Sequence, residues 1–193
     1  AGFPVIIHYN SSSSEAEELA LELRSRGGMA ETLMCDLSST SDLEDMIERA
    51  DAIFNVGIAG LVNNASMYSY DDVDSIDHRS FSSHMSVNAY APLTLSTQMH
   101  KRGRGWGVNI LDFKVESPNS DFLSYTISKF ALASVTDILA RELAPVLRVN
   151  AVAPWHPMTS DYLDEGKLES TNSSTPLGVG PTPDDIADAV LYL

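Results

Sequence analysis

The chain is poor in cysteine, in positive charge and in long apolar runs, and each shortage removes a class of protein. Cys35 is the only cysteine, so no disulfide can close within the chain, which fits a reducing compartment and a cytoplasmic location. Twelve Lys and Arg stand against 27 Asp and Glu, a formal net charge of −15. A surface this acidic repels nucleic acid and anionic membranes and reads as solubilising, so neither is expected as a partner. No apolar run approaches the ~20 residues that a membrane-spanning helix needs. The opening Ala1-Gly2-Phe3-Pro4 has neither the charged head nor the apolar core of a secretory signal. No metal is expected at the site.

What is present suits one domain: 193 residues, 44% hydrophobic and 20% charged, enough to bury a substantial core. Short β-branched or apolar runs at Val5-Ile6-Ile7, Thr32 to Cys35, Gly60-Leu61-Val62, Val108 to Leu111 and Val149 to Ala153 read as strands. Between them lie helical patterns: Ala16, Leu19, Ala20 and Leu23, ended by Gly27-Gly28; then Leu43, Met46, Ile47 and Ala50 behind a capping box at Ser41 to Glu44. A long helix is expected from about Asp74 to Met99, another over Ser124 to Leu143 with Leu132, Val135, Leu139 and Leu143 inward, and a last one opened by Thr182-Pro183. The alternation predicts an α/β fold with a parallel sheet covered by helices on both faces. Glu169 to Thr175 reads as a polar loop, and Gly103-Arg104-Gly105-Trp106-Gly107 as a turn, because it precedes a strand instead of following one.

Chemistry concentrates at Tyr125-Thr126-Ile127-Ser128-Lys129. Positions four apart share a helix face, so the Lys129 ammonium can hold the Tyr125 phenol in a positive field, which lowers its pKa and suits it to proton transfer near neutral pH. An ordinary surface pair has the same spacing, so the decision rests on the rest of the chain.

Four motifs in order decide it: Asn63-Asn64-Ala65 after a strand, Asn88 in the long helix, Tyr125 with Lys129, and Val149-Asn150-Ala151-Val152-Ala153-Pro154. Together they resemble the short-chain dehydrogenase/reductase family over nearly the whole chain. The resemblance implies a single Rossmann-like, doubly wound domain over residues 1–193, with residues 156–180 as the variable substrate loop. That fold's first strand and glycine-rich, phosphate-cradling turn would precede Val5, and a final strand would follow Leu193; the sequence contains neither.

The resemblance also implies roles. His8, Tyr9, Asn10 and Ser11 fall where the family meets the adenosine ribose. They carry donors and no carboxylate, which favours NADPH over NADH. Asp36 with Leu37 falls at the adenine, while Asn63, Ala65, Ser66, Tyr125, Lys129 and Pro154 complete the cofactor set. Asp36 reads equally well as a strand-end turn. Asn88 would hold a water linking Lys129 to solvent, or else make a local backbone bond.

Asp112 stands where the family's catalytic serine is usual. Pteridine reductases and related dihydropteridine-type reductases share this aspartate, together with a serine and an aromatic placed like Ser66 and Tyr68. The branch implies NADPH-dependent reduction of a pterin or folate. Asp112, Tyr125, Lys129 and Asn88 would be catalytic, and Ser66, Tyr68, Asp112, Tyr125 and Trp155 would face substrate. Trp155 replaces a common glycine and would narrow the pocket or wall it. Rival readings are reduction of a ketone or 3-oxoacyl thioester, with Asp112 replaceable by serine, and a fragment without catalysis. A homodimer or homotetramer through the two long helices is expected.

Overall fold

Among the described residues, five strands lie in two parallel ladders. The computed structural model describes residues 2–103 and 105–193. In it Val5–Tyr9 (β1) pairs with Ala30–Met34 (β2), and Gly60–Asn63 (β3), Gly105–Ile110 (β4) and Leu147–Val152 (β5) pair in the order β3-β4-β5. Parallel neighbours need a crossover, and helices supply each one. Ser13–Ser25 (α1) joins β1 to β2, and Thr40–Glu44 (α2) with Met46–Phe54 (α3) joins β2 to β3. His78–Met85 (α4) and Ala91–Arg102 (α5), run together through a π turn at Ser86–Tyr90, lead to β4, and Leu123–Glu142 (α6) leads to β5. Glu165–Ser173 (α7) and Pro183–Tyr192 (α8) follow.

The expected α/β parallel architecture is therefore present, but its sheet is in two pieces. Among the described residues β1 and β3 each pair on one side only. One core nonetheless spans both ladders: Leu33, Cys35 and Leu37 pack with Leu43, Met46, Ile47 and Ala50, with Leu95 and Met99 of α5, and with Leu139, Leu143, Leu147 and Val149. Among the described residues no ladder hydrogen bond joins the two pieces, and apolar burial through the shared helices holds them together.

Several boundaries differ from the sequence reading. The second helix pattern breaks at Asp45, and its N-cap is Ser39, whose hydroxyl accepts from the Asp42 N–H, not Ser41. Leu19 is 45% exposed while Ala16 and Ala20 are buried, so α1 meets the sheet through its small residues. The expected loop at 169–175 lies largely in α7, which Asp164 caps by accepting from the Lys167 N–H. The supposed turn at 103–107 is largely strand: Gly105, Trp106 and Gly107 open β4, with Arg104 outside the described residues. Its tryptophan explains a glycine on the neighbouring strand, because Trp106 lies across from Gly60 and fills the space a side chain there would need. Thr182 and Asp185 form the capping box of α8 with Pro183 in its first turn.

Candidate active site

Three strand ends and one helix build the site. Asp112 follows β4, and its Oδ1 accepts from the Lys114 N–H at 2.9 Å, capping the short turn Phe113–Val115. That cap turns the second oxygen toward α6, where Oδ2 accepts the phenolic proton of Tyr125 at 2.6 Å. One helical turn on, Lys129 is 3% exposed, its Nζ donates to the Ile110 carbonyl at 2.8 Å, and it lies 5.6 Å from the centroid of the Tyr125 ring.

The electrostatics reverse one expectation. Burial, then the Asp112 charge and its hydrogen bond, raise the Tyr125 phenol well above its usual value, so Lys129 does not lower it. Burial in turn holds the Lys129 ammonium down to about 8, against the pull of Asp112. A desolvated ammonium already bonded to a carbonyl is a weak counterweight to a carboxylate in direct contact with the phenol.

Asn88 sits on the π turn, a wide turn common at functional sites. Its Oδ1 accepts from the Met67 N–H at 2.7 Å and the Ser66 hydroxyl at 3.2 Å, and its Nδ2 donates to the Met67 carbonyl and to Ser128 Oγ, both at 2.9 Å. Both side-chain donors and both lone pairs are taken by protein groups, so the side chain ties residues 66–67 to α6. Asn63 donates to Asn109 Oδ1 at 2.7 Å, and Asn109 donates to Thr136 Oγ1 at 2.8 Å. This buried line across β3, β4 and α6 was missed from sequence because Asn109 stands within an apolar run.

Aromatic side chains cover the pair. Tyr68 meets Tyr125 edge-on at 4.7 Å and stacks on Phe122 at 4.5 Å with an interplanar angle of 8°. Tyr162, from the 156–180 segment, closes edge-on against both Tyr68 and Phe122. Trp155 packs against Phe113 at 4.1 Å and against His156, and its buried Nε1 has no partner among the described residues. Burial pushes the Tyr68 phenol up to about 12 and lowers His156.

A cavity of about 660 Å³ adjoins this centre and gathers His8, Tyr9, Asn10, Ser11, Asp36, Leu37, Ala65 and Ser66. Asn63, Tyr125, Lys129 and Pro154 do not line it. Pro154 instead accepts from the Phe113 N–H at 3.1 Å, tying the end of β5 to that of β4. His8 Nε2 is 2.8 Å from the Cys35 carbonyl, which fixes the ring to the end of β2. Asp36 Oδ1 accepts from the Ser38 N–H and hydroxyl, the strand-end turn that was its alternative reading, although the residue still faces the cavity. Glu15 also lines the cavity, an acid that the first turn of α1 brings in and that lay outside the expected segment. The size suits a nucleotide, and the hydroxyl and amide groups at residues 9–12 suit ribose and phosphate.

Residues 1–193 match the family model described as enoyl-(acyl carrier protein) reductase. An uncharacterised oxidoreductase of Methylorubrum extorquens is 30% identical over all of this chain and 80% of its own length. A dihydromonapterin reductase of Klebsiella pneumoniae is 26% identical over 98% of this chain and 79% of its own. The crystal structure of FolM alternative dihydrofolate reductase 1 from Brucella canis, complexed with NADP, superposes with a TM-score of 0.92 at 36% identity, covering all of this chain and 77% of that one.

Proposed function

The chain belongs to the short-chain dehydrogenase/reductase family, and from that premise we propose that it is an NADPH-dependent reductase of pterins, taking a dihydropterin, an oxidised pterin or a folate to a more reduced form. The observation that carries the reading is the hydrogen bond from Tyr125 to Asp112, a carboxylate in place of the family's usual serine. The dihydromonapterin reductase and the NADP-complexed FolM reductase among its relatives support both the substrate class and the cofactor.

The cofactor would lie along the cavity between residues 8–12, Asp36 and Ala65-Ser66. Bound there, its nicotinamide supplies the hydride. The chain supplies everything else. Tyr125 gives a proton to the ring nitrogen of the reduced C=N bond. Loss of that proton would leave a phenolate 2.6 Å from a carboxylate, so the pair takes up a proton through Asp112 as it gives one through Tyr125. Lys129, the buried cation beside them, steadies the negative charge that remains. Tyr68 offers an aromatic face on which a flat pterin can lie, and Phe122 and Tyr162 hold that face in place. Ser66 and Trp155 would face the substrate as well. Assembly would use the outer faces of the long helices, where Tyr90, Ile127, Phe130 and Ile138 are left 39% to 63% exposed.

The test is cofactor oxidation by the purified protein with 7,8-dihydrobiopterin, folic acid, a simple ketone and a 3-oxoacyl thioester side by side, using NADPH and then NADH. Turnover confined to pterins with NADPH supports the reading. Turnover confined to the ketone or thioester overturns it and makes the protein a carbonyl reductase.

A further inference from the structure

The catalytic helix is capped from a distant loop, and we infer that this tertiary cap, Asp71 on Ser124, is a positioning device that locks the substrate-facing loop 64–77 onto the start of α6. The inference rests on the reading above, in which Tyr125 donates the proton and Tyr68 carries the substrate.

A helix begins with unsatisfied N–H groups, usually met by a Ser, Thr, Asp or Asn at its N-cap. Here the N-cap is Phe122, which has no acceptor in its side chain and stands at φ +52°, a left-handed conformation unfavourable for a bulky residue. The cap comes instead from 53 residues upstream in sequence. The Asp71 carbonyl accepts from the Leu123 N–H at 3.1 Å, Asp71 Oδ1 accepts from the Ser124 N–H at 2.9 Å, and Oδ2 accepts from the Ser124 hydroxyl. The same Oδ2 takes a 3.4 Å bond from Ser80 of α4. Asp71 is 3% exposed and Ser124 fully buried, so the carboxylate gives up water for these donors and for the positive end of the helix.

The consequence is a closed circuit around the reacting groups. Asp71 lies three residues after Tyr68, and Ser124 lies immediately before Tyr125. Phe122, released from capping, stacks beneath Tyr68, whose edge meets Tyr125. A serine or aspartate at 122 would cap α6 as well but would leave residue 71 out of the cap. The arrangement present makes the placement of the aromatic platform and of the proton donor a single structural event. Asp71 is buried and outside the cofactor cavity, and it acts through Ser124 and the loop. Nothing in the sequence marks it within the acidic stretch Asp71-Asp72-Val73-Asp74.

Asp71→Ala, Asp71→Asn and Ser124→Ala test this in two readouts. In steady-state assays Asp71→Ala is expected to lower kcat/KM for the pterin about tenfold or more, while Asp71→Asn, which keeps an acceptor for the Ser124 N–H, stays within about threefold of wild type. NADPH affinity, from fluorescence titration, stays within about twofold for both. Hydrogen exchange without ligand, read by mass spectrometry, is expected to rise in Asp71→Ala over residues 66–70 and 123–125 together, with residues 132–142 unchanged. Wild-type turnover in Asp71→Ala, loss of NADPH affinity equal to the loss of turnover, or faster exchange at 123–125 alone overturns the inference. Should wild type reduce no pterin, the substrate reading fails, while the exchange experiment still decides the coupling. Should Asp71→Ala not fold, Ser124→Ala is expected to raise exchange in both segments, and unchanged exchange in either one overturns the inference.

Discussion

Tyr125 donates its phenolic proton to Asp112 across 2.6 Å, joining the first turn of α6 to the end of β4. The phenol is raised by burial first and by this carboxylate next. Replacing Asp112 by Asn keeps the shape and removes the charge. In an ultraviolet difference titration the Tyr125 phenol of Asp112→Asn is expected to ionise at lower pH than in wild type, and pterin turnover to fall by about a hundredfold or more. Because a raised phenol favours the native state while protonated, wild type is expected to lose stability as pH climbs above about 10, and the variant less steeply. An Asp112→Ser enzyme with full turnover would remove the carboxylate from the chemistry.

Lys129 makes the opposite contribution. Burial brings its ammonium from 10.5 down to about 8, so the native state binds that proton more weakly than the unfolded chain does. The resulting penalty is complete below about pH 8 and fades as pH rises from about 8 to 10.5. Lys129→Met, unfolded by urea without nucleotide, is expected to be more stable than wild type at neutral pH, by about 3 kcal/mol at most. The difference should close toward pH 10.5, and reductase activity should be lost. A variant less stable at every pH would show that the bond to Ile110 outweighs the desolvation.

Tyr68 should act through its ring and not its hydroxyl. Tyr68→Phe is expected to keep KM for the pterin within about threefold of wild type, whereas Tyr68→Ala raises it about tenfold or more, since the platform on Phe122 is gone. Equal KM values for the two variants would place the pterin elsewhere.

Gly60→Ala is a test of the sheet. A side chain at 60 would enter the space of the Trp106 ring across the β3–β4 ladder. The substitution is expected to cost about 1–3 kcal/mol and to shift Trp106 fluorescence in a Trp155→Phe background. An unshifted spectrum with unchanged stability would show that the ring yields freely.

Local chemistry made much of this protein legible. The α/β alternation follows from apolar periodicity. Tyr125 and Lys129 share a face because positions four apart must do so in a helix, and Thr182-Pro183-Asp184-Asp185 announces α8 through groups adjacent in sequence. Tertiary structure decided what depends on burial and on partners far along the chain. It set the phenol's acidity against Lys129, because desolvation and Asp112 outweigh a neighbouring ammonium. It filled every valence of Asn88 with residues 66, 67 and 128, and it brought Glu15 to the cavity. It also capped α6 with Asp71 rather than with the residue in front of it. A sequence fixes which groups can bond; distance and exclusion of water, which arise only when separate segments pack, select the bonds that form.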